Sequence, residues 1–144
     1  MTELPDKTIL AIDYGNRRIG LAKSDSLAII ASALATIEVG SVTEALAKIS
    51  AVLTDVRPAE IVIGYPELAS GERSLKCLEI DRFVEKLSKI YQGPIRRVDE
   101  AYSSVEAASV IHAHGQRVGK DKKRLDRLAA VIILQRYLDE RDER

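Results

Sequence analysis

The sequence predicts an α/β fold, a mixed five-stranded sheet flanked by helices. Three observations lead there. Up to Ile37, three β-patterned runs are separated only by short turn sequences, as in an antiparallel meander. From Gly40-Ser41 onward the apolar spacing becomes helical, and short strand-like runs at 60–64 and 95–98 each follow a helical stretch. Strands reached through helical crossovers pair in parallel, so the first three strands are antiparallel and the last two join in parallel. The order is βββ-α-β-α-β-α-α.

Thr8 to Ile12 (T-I-L-A-I) is a short apolar, partly β-branched run and reads as a buried strand ending at Asp13. Tyr14-Gly15-Asn16 is a turn, because Gly and Asn tolerate the backbone angles of tight turns. Arg18 to Lys23 alternates as a second strand, and Ile29 to Ile37 forms a third. Val42, Ala45, Leu46, Ile49 and Leu53 share one helical face, capped by Ser41 or Thr43 and followed by Pro58. Glu60 to Gly64 is the fourth strand, closed by Pro66, and Leu68 to Arg73 reads as a flexible loop. Ile80, Phe83, Val84, Leu87 and Tyr91 form the stripe of a second helix, ended by Gly93-Pro94. Ile95 to Val98 is the fifth strand and delivers Asp99-Glu100 at its end. Ser103 to Ala113 is helical, with Ser103 three residues before Glu106 as a cap. Gly115 to Lys123 is a basic loop, and Leu125, Leu128, Ala129, Ile132 and Ile133 mark the final helix.

The 144 residues fit a single domain, 1–144, and 46% hydrophobic residues suffice for a core. The 22 Lys and Arg balance the 22 Asp and Glu, which excludes a globally basic nucleic-acid binder but leaves room for a local basic face. The longest uncharged stretch, Ser26 to Ile37, has twelve residues; a membrane-spanning helix needs about 18–20. Met1 to Lys7 is polar and acidic, unlike a secretory signal. The single Cys77 has no disulfide partner within the chain and reads as a core residue. A cytoplasmic, non-membrane protein is the expectation.

The carboxylates carry the chemistry. Asp13, Asp99 and Glu100 fall at the C-terminal ends of predicted strands, where open α/β sheets bind ligands. Asp126 sits in the first turn of the last helix beside core-facing Leu125, and Ala129-Ala130 let that helix approach the sheet closely. Carboxylates converging from two strands and a helix repel one another unless a cation holds them; Mg²⁺ takes such oxygen ligands. The alternative is that each acid is a cap or a solvated surface charge.

A second constellation is basic. Arg117, Lys120, Lys122, Lys123, Arg124 and Arg127 fall within eleven positions; Arg17 and Arg18 follow the first carboxylate, and Arg96-Arg97 precede Asp99. Such clusters suit a phosphate backbone, although a charge run is also the usual make-up of a solvated loop. His112 and His114, two apart on a helix, point to different faces and do not make a metal pair. Tyr14 is placed to stack on a base, but 4% aromatics provide no stacking platform of the single-strand-binder kind.

The segment Asp13-Tyr14-Gly15-Asn16-Arg17-Arg18-Ile19-Gly20-Leu21-Ala22-Lys23-Ser24-Asp25 resembles the D-x-G-x-x-R-x-G-x-A-x-S-D opening of the YqgF/RuvX family. Gly64-Tyr65-Pro66 resembles that family's G-L-P strand end, Gly71 its following loop, and Asp99-Glu100 its D-E-R-x-S-T block. Leu125 to Ala130, with Ile133-Leu134-Gln135 and Tyr137-Leu138, resembles its closing helix. The four blocks span about Ile9 to Asp139 in matching order. The resemblance implies an RNase H-like three-layer fold and a nuclease with metal carboxylates at Asp13, Glu100 and Asp126, Asp99 being an accessory. It also implies Mg²⁺ or Mn²⁺ as cofactor and structured RNA as substrate, in the processing of the 5′ end of precursor 16S rRNA by phosphodiester hydrolysis. Arg17, Arg18, Arg117, Lys120, Lys122, Lys123 and Arg124 are the substrate-binding candidates.

Two departures stand out. Ala101, followed by Tyr102, replaces the usual Arg after Asp-Glu, and Glu67-Leu68-Ala69-Ser70 replaces a more polar loop. Ala101 lends weight to a non-catalytic nucleic-acid-binding protein as one alternative. Another is a Holliday junction resolvase acting on branched DNA, which requires a symmetric dimer; the sequence has no evident dimer seam, so a monomer or weak homodimer is expected. Asp-x-Gly before a hairpin also opens the sugar-kinase and actin group, but those proteins enclose nucleotide between two such domains and this chain has room for one.

Overall fold

The computed structural model describes residues 5–66, 74–99 and 122–142, with side chains in the last segment from 128 to 141. Its elements are β1 (Ile9–Tyr14), β2 (Arg18–Ser24), β3 (Ala31–Glu38), α1 (Val42–Val56), β4 (Glu60–Tyr65), α2 (Leu75–Leu87), β5 (Ile95–Asp99) and α3 (Lys122–Asp142). The strands form one sheet in the order β3-β2-β1-β4-β5. β1 pairs antiparallel with β2 and β2 with β3, whereas β4 is parallel to both β1 and β5. The expected mixed five-stranded sheet is therefore present. The predicted Leu68–Arg73 loop and Ser103–Ala113 helix lie outside the described residues, as does most of the Gly115–Lys123 loop.

The alternation of side chains along a strand divides the core in two. Leu10, Ile12 and Tyr14 of β1, Ile19 and Leu21 of β2, and Ile61, Ile63 and Tyr65 of β4 face α1 and α2, where they meet Ala45, Ile49, Ile80 and Phe83. Ile9, Ala11, Ala22 and Val62 face α3 and meet Ala130, Leu134 and Leu138. Ala11 lies opposite Ala22 across the β1–β2 pair. These small side chains let α3, with Ala129 and Ala130 buried, lie close over the middle of the sheet.

Most boundaries differ from the sequence expectation by one or two residues, and four of the differences have a physical reason. β1 runs through Asp13 to Tyr14 because Asp13 pairs with Gly20 and Tyr14 with Ile19. β3 begins at Ala31 rather than Ile29, since the Asp25 carboxylate accepts from the backbone N–H groups of Ile29 (2.7 Å) and Ile30 (2.9 Å) and holds both in the loop. The second helix stops at Leu87, although Tyr91 still packs on its core and donates to the Pro58 carbonyl at 2.9 Å. The last helix begins at Lys122, so Lys122 and Lys123 are helical rather than loop residues; beyond Gly119 the sequence has neither Gly nor Pro to break the helix.

The close seat of α3 predicts the effect of overpacking it. Ala130→Leu is expected to cost about 1–3 kcal/mol in urea unfolding, because Ala130 is fully buried against β1 and β2.

Candidate active site

Asp13 shares its face of β1 with Ile9 and Ala11 and so lies on the α3 side of the sheet, half-buried. Its partner across β2 is Gly20. On the other flank, Gly64 of β4 stands one step past the Ile12–Ile63 pair and shares a face with Val62. With glycine in both adjacent strands, the positions directly beside this carboxylate carry no side chain. The Asp-x-Gly turn that follows has its own steric reason: a Cβ at Gly15 would sit 2.6 Å from the Arg18 carbonyl oxygen. Only glycine lets the hairpin close that tightly, and the closure brings Arg17 and Arg18 back beside β1. The Arg17 carbonyl then accepts from Val39 N–H at 2.9 Å, tying the hairpin to the end of β3. Toward α1, Arg17, Arg18 and Lys48 line a cavity of about 700 Å³ together with Glu38 and Glu44.

α3 is held at its far end. Tyr137 donates to Glu60 Oε1 at 2.5 Å, and Glu60, at the start of β4, is 9% exposed. Arg96 Nε and an Arg141 nitrogen lie 3.3 Å and 3.9 Å from the same carboxylate. Gln135 is a second fastening: its side-chain oxygen accepts from Ala31 N–H at 2.9 Å and its nitrogen donates to the Ile29 carbonyl at 3.2 Å. The helix thus runs antiparallel to β1, with its first turn toward the strand end that carries Asp13. From Tyr137 back to position 126 is about 16 Å of helix, and from Ile9, which lies beside Glu60, to Asp13 is about 13 Å of strand. The two levels match.

Of the expected metal carboxylates, Asp13 is therefore described in full. Asp126 is described as a helical position whose side chain lies outside the described residues, and Glu100 lies wholly outside them. Among the described residues no three His, Cys, Asp or Glu side chains cluster. Arg117 and Lys120 are also outside; Lys122, Lys123 and Arg124 are placed in the first turn of α3 by backbone alone. Asp99, expected as an accessory, falls on the opposite face from Asp13. It shares its face with Arg97, whose Nε pairs with Asp81 of α2 at 3.1 Å and whose guanidinium stacks 5.7 Å from the Tyr65 ring. Arg96 and Arg97 are thus engaged by Glu60 and Asp81 rather than standing ready for phosphate. Cys77 is buried, with its sulfur 3.4 Å from Ser74 Oγ, and that hydroxyl holds the thiol below its usual range.

Sequence reasoning missed Glu60, Gln135 and the Ser24-Asp25 pair as structural posts. Ser24 Oγ accepts from Ile9 N–H at 2.8 Å and donates to the Asp25 carbonyl at 2.9 Å. The backbone N–H groups of Ile30 and Ile29 hold the Asp25 carboxyl below the ordinary range. A glutamate opening an otherwise apolar strand was the available signal for Glu60.

Residues 7–140 match the family described as "RuvX: Holliday junction resolvase". The chain belongs to the RuvX family. A relative from Synechococcus elongatus is 39% identical over 140 residues, covering 97% of this chain and 94% of its own, and is named "Putative pre-16S rRNA nuclease". One from Chloroflexus aggregans, of the same name, is 38% identical over 136 residues, with 94% and 96% coverage. Among solved structures, Thermus thermophilus RuvC in complex with a Holliday junction substrate superposes with a TM-score of 0.59 at 16% identity, covering 94% of this chain and 96% of that one. The Fowlpox virus resolvase in complex with Holliday junction DNA gives 0.60 at 11% identity, covering 92% and 97%. At these identities the likeness fixes the fold as that of RuvC and related resolvases, the RNase H-like three-layer arrangement.

The fastening of α3 carries a pH signature. Burial first, and then the Glu60 carboxylate, push the Tyr137 phenol up to about 12. Burial, with bonds to Cys77 and Asp81, does the same for Tyr65, also to about 12. A phenol whose folded value is raised contributes stability below its ordinary value of about 10 and loses it as pH rises through the folded value. Stability is therefore expected to fall between about pH 10 and pH 12, and Tyr137→Phe should flatten part of that fall while costing about 1.5–3 kcal/mol at neutral pH. Urea midpoints across the alkaline range measure both.

Proposed function

We propose that this chain is a metal-dependent endonuclease that processes the 5′ end of precursor 16S rRNA, acting as a single domain in the cytoplasm. Asp13 carries the reading: a carboxylate at the C-terminal end of the central strand, flanked by Gly20 and Gly64, in a family whose relatives bear the nuclease name. Its hard oxygen donors, between the glycines at 20 and 64, suit Mg²⁺ or Mn²⁺. Glu100 and Asp126 complete the proposed ligand set. Glu100 directly follows the end of β5 in the sequence. Position 126 lies one helical turn before Ala129 and Ala130, at the level of Asp13. A divalent ion held there supplies charge neutralisation at a phosphate and a water of lowered pKa.

The chain's own residues contribute binding and orientation. Arg17 and Arg18, held beside Asp13 by the closed hairpin, offer cations to the phosphates on either side of the cut. Lys122, Lys123 and Arg124 bring a second set to the N-terminal end of α3, and Arg117 and Lys120 precede them in the sequence as further candidates. Contacts of this kind position a nucleic acid without reading its sequence. The proposal keeps a monomer or weak homodimer, since one chain carries the whole proposed ligand set.

Junction resolution is the second reading, favoured by the description of the family itself. It needs two sites spaced for opposing strands in a symmetric dimer. The experiment is cleavage of a precursor 16S rRNA 5′ fragment and a four-way DNA junction by wild type and Asp13→Asn, with Mg²⁺, with Mn²⁺ and with chelator. RNA cleavage that requires metal and falls at least about 100-fold in the variant is expected, the size of effect that follows removal of one charge-stabilising group. Preferential junction cutting would replace the substrate assignment. Binding without cleavage of either would leave a binding protein, with Ala101 as the residue to restore to Arg.

A further inference from the structure

Residues paired across neighbouring strands point to the same face of a sheet, so the α3 side divides into rows. Where Ala130 and Leu134 of α3 rest, the row is Val62, Ala11, Ala22 and, on the edge strand, Ala33. Every member is aliphatic, as the seat of a packed helix requires. The next row toward the end of β1 is Val98, Gly64, Asp13, Gly20 and Thr36. It carries two polar side chains, Asp13 and Thr36, with only Gly20 between them. Both are half-buried. The face thus changes from apolar to polar at the level of Asp13, and Thr36 falls on the polar side of that line.

Thr36 reaches this row through an irregularity in β3. Leu21 pairs with Ala35 but Ala22 pairs with Ala33, so Leu34 is one residue extra on β3. Leu34 packs into the core under α1 and α2. Without that shift, strict alternation from Ala33 would bring Ala35 opposite Gly20 and turn Thr36 to the other face. Extra residues of this kind recur beside active sites, where they re-aim a side chain. Two strand spacings, about 10 Å, separate Thr36 from Asp13. Side chains on one face stand roughly perpendicular to the sheet and keep that separation. Thr36 therefore faces a chain passing over the site rather than an ion on Asp13.

We propose that Thr36 is a further substrate-binding residue, its hydroxyl donating to a phosphate oxygen of the nucleotide next to the cleaved bond. A hydroxyl offers one donor and no charge, a contact that sets the register of a backbone without reading its sequence. The inference rests on the nuclease reading for the identity of the substrate.

Binding, scored apart from cleavage, tests it. Fluorescence anisotropy of the precursor 16S rRNA 5′ fragment is followed in chelator for wild type and Thr36→Val, which keeps the shape and removes the donor. Affinity is expected to fall about tenfold, the order of one lost hydrogen bond to a charged group. The slope of log affinity against log salt should not change, since no cation is lost. Thr36→Ser, which keeps the donor, should bind within about twofold of wild type. Mn²⁺ affinity should match wild type in both variants, which separates a contact to substrate from a disturbance of Asp13 or of α3. Wild-type-like binding by Thr36→Val, no recovery in Thr36→Ser, or a parallel loss of Mn²⁺ affinity would each overturn the assignment. Circular dichroism melts verify folding, and Thr36→Ala, which also lacks the hydroxyl, decides the matter if Thr36→Val does not fold. RNA bound by wild type but indifferent to Thr36 sinks this inference and leaves the nuclease reading. RNA bound through Thr36 but never cut sinks the nuclease reading alone, and a wild type that binds no RNA sinks both.

Discussion

The carboxylate of Glu60 is the constraint on which the rest of the arrangement depends. It is nearly buried at the start of β4, where a charge is expensive to desolvate unless it is well bonded. The Tyr137 hydroxyl and the Arg96 guanidinium satisfy it, and in doing so they fix one end of α3 to the sheet. Gln135 fastens the helix to the start of β3, so rotation and sliding are both restrained. Apolar packing of Ala130, Leu134 and Leu138 supplies the adhesion but little of the register, since hydrophobic contact is not directional. Polar bonds supply the register. A helix registered in this way carries position 126 to the level of Asp13, two residues beyond the alanines over which it lies.

The pleat of the sheet then separates two kinds of work. On the α3 face, Asp13 stands between the glycines of the two neighbouring strands. On the other face, the next residue, Tyr14, is part of an aromatic pair on α2. Neighbouring positions in one strand thus serve different surfaces, and the Gly15 turn wraps Arg17 and Arg18 around the rim between them. Asp99 obeys the same alternation and belongs with Arg97 and Asp81 on the α2 side.

Much of this was legible in the residues. Period-two runs and helical stripes located every strand and helix now described, because burial on one face leaves that mark directly. Strand ends were harder. Asp25 holds Ile29 and Ile30 out of β3 through side-chain bonds that hydropathy does not register, and these two isoleucines look like strand residues while being exposed. Tyr91 continued the helical stripe by packing from beyond the helix end. The opening motif pointed to Asp13 and its hairpin, since a tight turn after a strand-end acid leaves a specific pattern. It did not show that Arg96 and Arg97 are engaged by Glu60 and Asp81, because a string of letters does not reveal which carboxylates stand opposite an arginine in space. Glu60 read as part of a strand, and its role emerged only once Tyr137 was opposite it in space.

The fastening of α3 would set the geometry of the proposed metal ligands from a distance. The most direct measurement is Mn²⁺ binding, followed by electron paramagnetic resonance, for wild type and for Gln135→Ala with Tyr137→Phe, at a temperature where both are folded. Neither substitution touches a proposed ligand. Affinity is expected to fall severalfold in the double variant. Unchanged affinity in a protein that has lost stability would show that the carboxylates are placed independently of how the helix is held.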